Sequence, residues 1–447
     1  MGMEAPHVVV GAGLSGLTAA AELSRGGGSV MVLESGDEAG GMCRSFTMDG
    51  VVFDIGPHML MYNPGSRWGG YLDGMLQELP TLRRRYRYAV FAGGRTWRFP
   101  PDPWELLSSP AWAKRDIVRC LIGRAGGRKP DSTLRGHLTS LTGRRHYETV
   151  FEPLIATKLG TAGSVLHAHW MTRPHKNVYT SGDMSMKCPV PFRRTPVSAV
   201  RMALHEIRPL YSYPEGGMSA LVSLLRRRIR GGLRTGCGEL RVRTEGRRIT
   251  GLAFDGGETT ASSLVWTAPV ADLYRAMGEP APAGGETVPT RMVFVTFRTE
   301  NAARRPYLYT YHLEGDTVFH RIYYPRSIFR EATPKGIEGL CFEIRLTDGM
   351  REMDEGSLAD LVASDARRIG AVSGRPLSMR VIDVPHASPL LAADYVDREG
   401  ELFGIVQRYD NLFLAGRQGN HCNCLMPGAV AQGLLAADRV LGRHAPA

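Results

Sequence analysis

The chain contains no run of about eighteen apolar residues, so no stretch of it reads as a membrane span. A strand-like stretch begins already at His7, leaving no space for a secretory leader, and a cytoplasmic protein is expected. Cysteine is scarce. The seven are scattered and odd in number, which argues against a disulfide framework and for reduced thiols. Acidic residues are outnumbered, 44 against 55 lysines and arginines, and the net charge of +11 favours an anionic partner. The basic clusters at Arg83–Arg87, Arg193–Arg194 and Arg226–Arg230 lack the aromatic interleaving of a nucleic-acid surface, so no nucleic-acid partner is expected. Metal ligands are equally sparse: His421, Cys422 and Cys424 lie together without a fourth ligand nearby. No metal site is expected, and the C-x-C spacing is poor for an easy disulfide.

What is present is concentrated at the N-terminus. His7-Val8-Val9-Val10 is the short apolar run of a buried parallel strand, and Leu17 to Leu23 is a good helix former. Between them stands Gly11-Ala12-Gly13-Leu14-Ser15-Gly16, the G-x-G-x-x-G turn of a dinucleotide fold. Gly11 permits the sharp turn, Gly13 lets backbone N–H groups approach a pyrophosphate, and Gly16 allows helix and strand to pack closely. The phosphates would sit at the positive helix end near Leu14 and Ser15. A second apolar run, Val30 to Leu33, ends in Glu34, roughly twenty residues downstream, where a carboxylate accepts ribose hydroxyls. At 447 residues the chain can hold two domains around a large core.

Past Glu34 come Ser35, the doublet Gly40-Gly41, Met42, Arg44 and then Gly56-Pro57-His58. Here the sequence resembles the flavoprotein superfamily of amine oxidases, protoporphyrinogen oxidase and UDP-galactopyranose mutase. The resemblance implies FAD, with Gly41, Met42 and Arg44 around the pyrophosphate and Gly56, Pro57 and His58 against the isoalloxazine. Phe151-Glu152-Pro153 through Lys158-Leu159-Gly160 resembles a segment of the helical domain covering the flavin, and Tyr213-Pro214-Glu215-Gly216-Gly217 resembles the point where the chain returns to the FAD domain. The alternating stretches at Glu239–Arg243 and Arg248–Phe254 read as a hairpin. In relatives the first of them touches adenine, which places a contact near Glu239. Asn411 to Gly416-Arg417 reads as a buried strand, followed by a helix entered through Met426-Pro427 whose dipole would face the flavin C2 carbonyl. Gly416, Arg417 and Met426 join the cofactor set.

The expected fold is therefore α/β, a discontinuous Rossmann-type FAD-binding domain with an inserted mixed α+β substrate-binding domain. The FAD part comprises residues 1–60, 206–270 and 400–447, and the substrate part 61–205 and 271–399. Two residues are candidates for chemistry. His58 could hydrogen-bond the flavin and tune it, and Arg321, in a stretch resembling the mutase, could fork onto a phosphate or carboxylate. Arg173, Tyr324 and Asn423 are candidates for the same pocket. After Gly416 the mutase has tyrosines where this chain has Asn420 to Leu425, which separates it from an actual mutase. The expected activity is FAD-dependent oxidation of a small polar substrate, anionic or sugar-derived or nucleotide-linked, by hydride transfer to flavin N5. The alternative is a non-redox sugar-nucleotide mutation on reduced FAD. A homodimer is left open. Replacing Gly13 by valine should abolish flavin binding, because the side chain would fill the pyrophosphate position. A purified Gly13→Val protein that stays yellow with full FAD content overturns this reading of the turn.

Overall fold

A computed structural model describes residues 5–58, 60, 62, 64–85, 88–92, 95–99, 132–172, 210–299, 307–330 and 333–443. The sequence at Trp104–Leu107 and Ala113–Cys120 reads as helical; these stretches and the candidate Arg173 lie outside the described residues.

His7–Val10 is the middle strand of a five-stranded parallel sheet. The order across it is Leu412–Leu414, Ser263–Trp266, His7–Val10, Val30–Leu33 and Gly231–Arg234. Val8, Val9 and Val10 are all buried, as in parallel strands covered on both faces. The first helix, Leu14–Arg25, buries nearly its whole length of small and apolar residues against the sheet and its neighbours. Across it runs the closing helix, Met426–Val440. A Cβ at Gly433 would stand 2.4 Å from the Ser15 carbonyl oxygen, so the two helices meet backbone to backbone. The Ser15 hydroxyl adds a hydrogen bond to the Ala429 carbonyl at 2.8 Å.

The outer strand Gly231–Arg234 precedes the stretch in which an adenine contact near Glu239 is expected. A Gly-Gly-Leu-Arg tetrapeptide has no apolar run to announce it. It becomes a strand because its backbone pairs with Val30–Leu33, with Gly231 packed where a Cβ would lie 2.0 Å from the Val30 carbonyl. The residues that then reach Glu34 are Arg234, whose carbonyl accepts from the Glu34 N–H, and Cys237, whose N–H donates to the Glu34 carbonyl. Glu239 lies beyond them on an exposed bend. The hairpin after it is formed by Arg241–Glu245 and Arg248–Phe254, in a separate three-stranded sheet.

A second, seven-stranded sheet runs Arg375–Pro389, Thr287–Arg298, Ile337–Arg345, Arg321–Tyr323, Tyr309–His312, Tyr88–Ala92 and Arg95–Phe99. Only the pairing of Tyr309–His312 with Tyr88–Ala92 is parallel. Strand alternation gives the sheet two unlike faces. Val293, Val295, Ile322 and Phe342 pack beneath the helix Glu355–Arg368, against Leu358, Val362 and Ala366. Met292, Phe294, Tyr323 and Cys341 turn the other way, into the core shared with the first helix. Arg321 and Glu343 belong to this second face by register.

Replacing Gly433 by alanine should cost about 1–3 kcal/mol, because the methyl has only the Ser15 backbone to displace. Denaturant unfolding measures it, and an unchanged midpoint would show that the helices can separate freely.

Candidate active site

The cofactor cradle is built by backbone. Ala12 N–H donates to Glu34 Oε2 at 2.7 Å and Gly36 N–H to Oε1 at 2.9 Å, so the carboxylate sits against the glycine turn with lone pairs to spare. Gly40 N–H donates to the Ala12 carbonyl at 2.8 Å, and the following Gly41 lies so close that its Cβ would be 3.3 Å from Gly13 Cα. A Cβ on Gly13 itself would meet nothing within 4 Å. No side chain caps the start of the first helix. Its leading N–H groups therefore face open space at the positive helix end, which is what a pyrophosphate requires. Arg44 donates to the Gly41 carbonyl at 2.9 Å, while Ser35 is exposed beside Glu34. The residues fit a flavin dinucleotide.

From this cradle the chain runs through Val51–Asp54 to the Gly56-Pro57-His58 turn. Asp54 is fully buried and accepts from the Ser45 hydroxyl at 2.5 Å and the Met218 N–H at 3.1 Å, tying the turn to the helix Ser219–Arg227. Burial pushes its carboxyl up to about 7. Gly56, at φ +85°, rests on Met292 of the second sheet. His58 Nδ1 lies 3.0 Å from the Gly56 carbonyl, which fixes the tautomer with Nδ1–H donating and Nε2 free to accept. Burial, assisted by the charges of Arg417 and Arg321, pushes its imidazole down to about 4 despite the Gly56 hydrogen bond. It is neutral at physiological pH.

Around His58 lies a cluster of charged groups. Arg321 forms an ion pair with Glu343, its register partner on the neighbouring strand, and donates to the Tyr311 hydroxyl at 3.3 Å. The guanidinium also lies 5.4 and 5.6 Å from the ring centres of Tyr309 and Tyr311. Burial raises the Glu343 carboxyl, but Arg321 and then His320, 3.4 Å away, more than reverse it and hold it well below the usual range. Lys158 reaches the same group of charges from the helix Glu152–Leu159, with its ammonium 5.9 Å from the Trp170 ring centre. Burial lowers its pKa, with Tyr311 and Glu343 acting against the shift, and it forms no ion pair among the described residues. Arg417 donates to the Cys424 carbonyl at 2.6 and 3.2 Å and to the Ala387 carbonyl at 3.0 Å, so its charge is not cancelled.

The sequence candidates are thus partly brought together. His58, Arg321 and Arg417 are electrostatic neighbours. Tyr324, just past the strand Arg321–Tyr323, lies with Ile322 in the core under the helix Glu355–Arg368, with its hydroxyl on Thr310. Parity of the strand decides this. Asn423 donates to the Trp170 carbonyl at 3.0 Å, joining the loop before the closing helix to the helical cover. Lys158 and Glu343 were missed as site residues. The available signal for Lys158 was a lone lysine between the core residues Ile155 and Leu159; nothing local marks Glu343.

The family model of flavin containing amine oxidoreductases matches residues 14–441, and the chain belongs to that family. The family is one of flavin-containing oxidoreductases, with FAD as the cofactor. Among curated relatives, an inactive all-trans-retinol 13,14-reductase of Danio rerio is 53% identical over 49 residues, 11% of this chain and 8% of that protein. A zeta-carotene-forming phytoene desaturase of Myxococcus xanthus is 25% identical over 290 residues, 58% of this chain and 52% of that protein. The chain spans about half or less of the length of these two. In solved structures the fold recurs in a protein described as a protoporphyrinogen oxidase from Exiguobacterium sp. 255-15, with TM-score 0.77, 15% identity and coverage of 98% of this chain and 99% of that one. It recurs also in reduced UDP-galactopyranose mutase, with TM-score 0.73, 17% identity and coverage of 98% and 96%.

Because the folded pKa of His58 lies below the unfolded 6.5, the unfolded chain takes up its proton first as pH falls, and stability is lost between 6.5 and about 4. An NMR titration should place the His58 midpoint near 4; a midpoint near 6.5 would mean that the ring is solvated.

Proposed function

We propose that the protein oxidises a small polar substrate bearing an anionic group, held among the charged groups near His58 and Lys158. The observation that carries this is the charge balance there. Glu343 pairs directly with Arg321 and acts on Lys158 only at longer range, and neither Lys158 nor Arg417 has an ion pair of its own among the described residues. When bound, FAD supplies the two-electron acceptor, N5, to which the substrate hydride passes. The chain supplies the rest. The glycine turn, Glu34 and the N-terminus of the first helix hold the dinucleotide. Lys158 receives the anion as a cation with no ion pair of its own among the described residues. His58 Nε2 accepts a hydrogen bond from a substrate hydroxyl or amine, and its low basicity keeps it neutral while doing so. Arg321, committed to Glu343 and Tyr311, braces the wall rather than forking onto the anion.

A mutase-like rearrangement on reduced FAD is the second reading, favoured by the Gly56-Pro57-His58 triplet and the structural likeness to UDP-galactopyranose mutase. An anaerobic spectrum of the holoprotein with candidate hydroxy acids, amino acids and nucleotide sugars separates the two. Loss of the oxidised-flavin band near about 450 nm marks an oxidation. Turnover of a nucleotide sugar only after dithionite reduction would overturn it in favour of the mutase.

Exchange of Lys158 for methionine should raise the KM for an anionic substrate about tenfold or more with FAD content unchanged, as expected for a lost charge-assisted contact. Exchange of Arg321 for methionine should instead destabilise the fold by about 3–5 kcal/mol, because it strands the buried Glu343 carboxylate. Steady-state kinetics and denaturant unfolding on both variants test the assignment. The reverse pattern would give the anion to Arg321.

A further inference from the structure

By spacing alone, Cys422 and Cys424 make a poor disulfide, but the fold changes that. The Cys424 N–H donates to the Cys422 carbonyl at 3.0 Å, closing a three-residue γ-turn at Asn423. The turn brings the two cysteines back toward one another, where an extended chain would hold their Cα atoms about 7 Å apart, beyond the usual span of a disulfide. The two thiols are electrostatic neighbours. They are 3% and 2% exposed. The turn is held from every side: Arg417 grips the Cys424 carbonyl, Asn423 the Trp170 carbonyl, and Gln432 donates to Cys422 Sγ at 3.3 Å. His421, just before it, is held at φ +41°, a left-handed conformation that costs a residue with a Cβ about 1 kcal/mol or more and persists only where its surroundings impose it. No group of three metal-binding side chains occurs among the described residues. What remains for a juxtaposed thiol pair is redox chemistry.

We propose that Cys422 and Cys424 are a redox-active dithiol that a peroxide oxidises to a disulfide within the loop. Cys424 is the attacking sulfur. Its interaction with Cys422 and the Arg417 charge pull its pKa down against burial, while the same interaction and burial push Cys422 up. In the first step the Cys424 thiolate attacks one oxygen of hydrogen peroxide. The O–O bond breaks, hydroxide leaves and takes up the proton that Cys424 gave up, and Cys424 becomes a sulfenic acid. In the second step the Cys422 sulfur attacks the Cys424 sulfur. The S–O bond breaks, and the departing hydroxide carries off the Cys422 proton as water. The pair loses two electrons, and one peroxide becomes two waters. Access is from the side of Asn423, which is partly exposed, and Leu425, which is 38% exposed.

The test uses the FAD-loaded protein treated with hydrogen peroxide, then denatured, alkylated and mapped by mass spectrometry. The peptide containing both cysteines should lose about 2 Da, escape alkylation and recover on treatment with dithiothreitol. Cys43, Cys237 and Cys341, all buried as free thiols, should remain alkylated. In Cys422→Ser, dimedone should capture a sulfenic acid at Cys424. In Cys424→Ser the capture at Cys422 should fall about tenfold or more, as its thiol is the less ionised. Full alkylation of Cys422 and Cys424 after peroxide treatment, or a bridge from either to another cysteine, would overturn the proposal. Mapping of the unsubstituted protein decides this even if a serine variant fails to fold.

Discussion

The rest of the structure depends on the close approach of backbone to backbone around the first glycine turn. Gly16 sits where a Cβ would be 1.9 Å from the Gly11 carbonyl oxygen, and Gly433 where one would be 2.4 Å from that of Ser15. These contacts bring the first and last helices of the chain together over one sheet. They also leave Gly13 facing open space with uncapped helical N–H groups behind it. A cradle made in this way is rigid, because no side chain has rotamers to lose. It presents partial positive charge without a buried ion whose desolvation would have to be offset.

The charged cluster beyond the cradle obeys a different constraint. Burying a guanidinium and a carboxylate together is costly, and the pair Arg321–Glu343 persists because hydrogen bonding to Tyr311 and the faces of two tyrosine rings accompany it. Its near neutrality sets the field of the site. Were Arg321 unpaired, His58 and Lys158 would both be depressed further by its charge. With Glu343 in place, the positive field is left to Lys158 and Arg417.

The link between these two regions is the Gly56-Pro57-His58 turn. It leaves a hairpin anchored by buried Asp54 and lands on Met292 of the second sheet. The loop from Asn420 to Leu425 makes a second link. Arg417 ties it to Ala387 on the edge strand of the large sheet, and Asn423 ties it to the helical cover. Strain at His421 is the local cost of holding that loop in place.

The sequence by itself determined the features that rest on local chemistry. The G-x-G-x-x-G turn with Glu34, the glycine doublet, the Gly-Pro-His triplet and the proline-entered closing helix each need particular residues within a few positions of one another. Only the tertiary structure decided what rests on long-range register. Gly231–Arg234 is a strand because Val30–Leu33 offers it a free edge, and Tyr324 is a core residue because the strand at Arg321 is paired with Glu343 in one parity and not the other. The same holds for the charge at the site. A strand pairing between residues twenty-two apart assigns Arg321 a carboxylate and leaves Lys158 without one, and no periodicity within either segment encodes that choice.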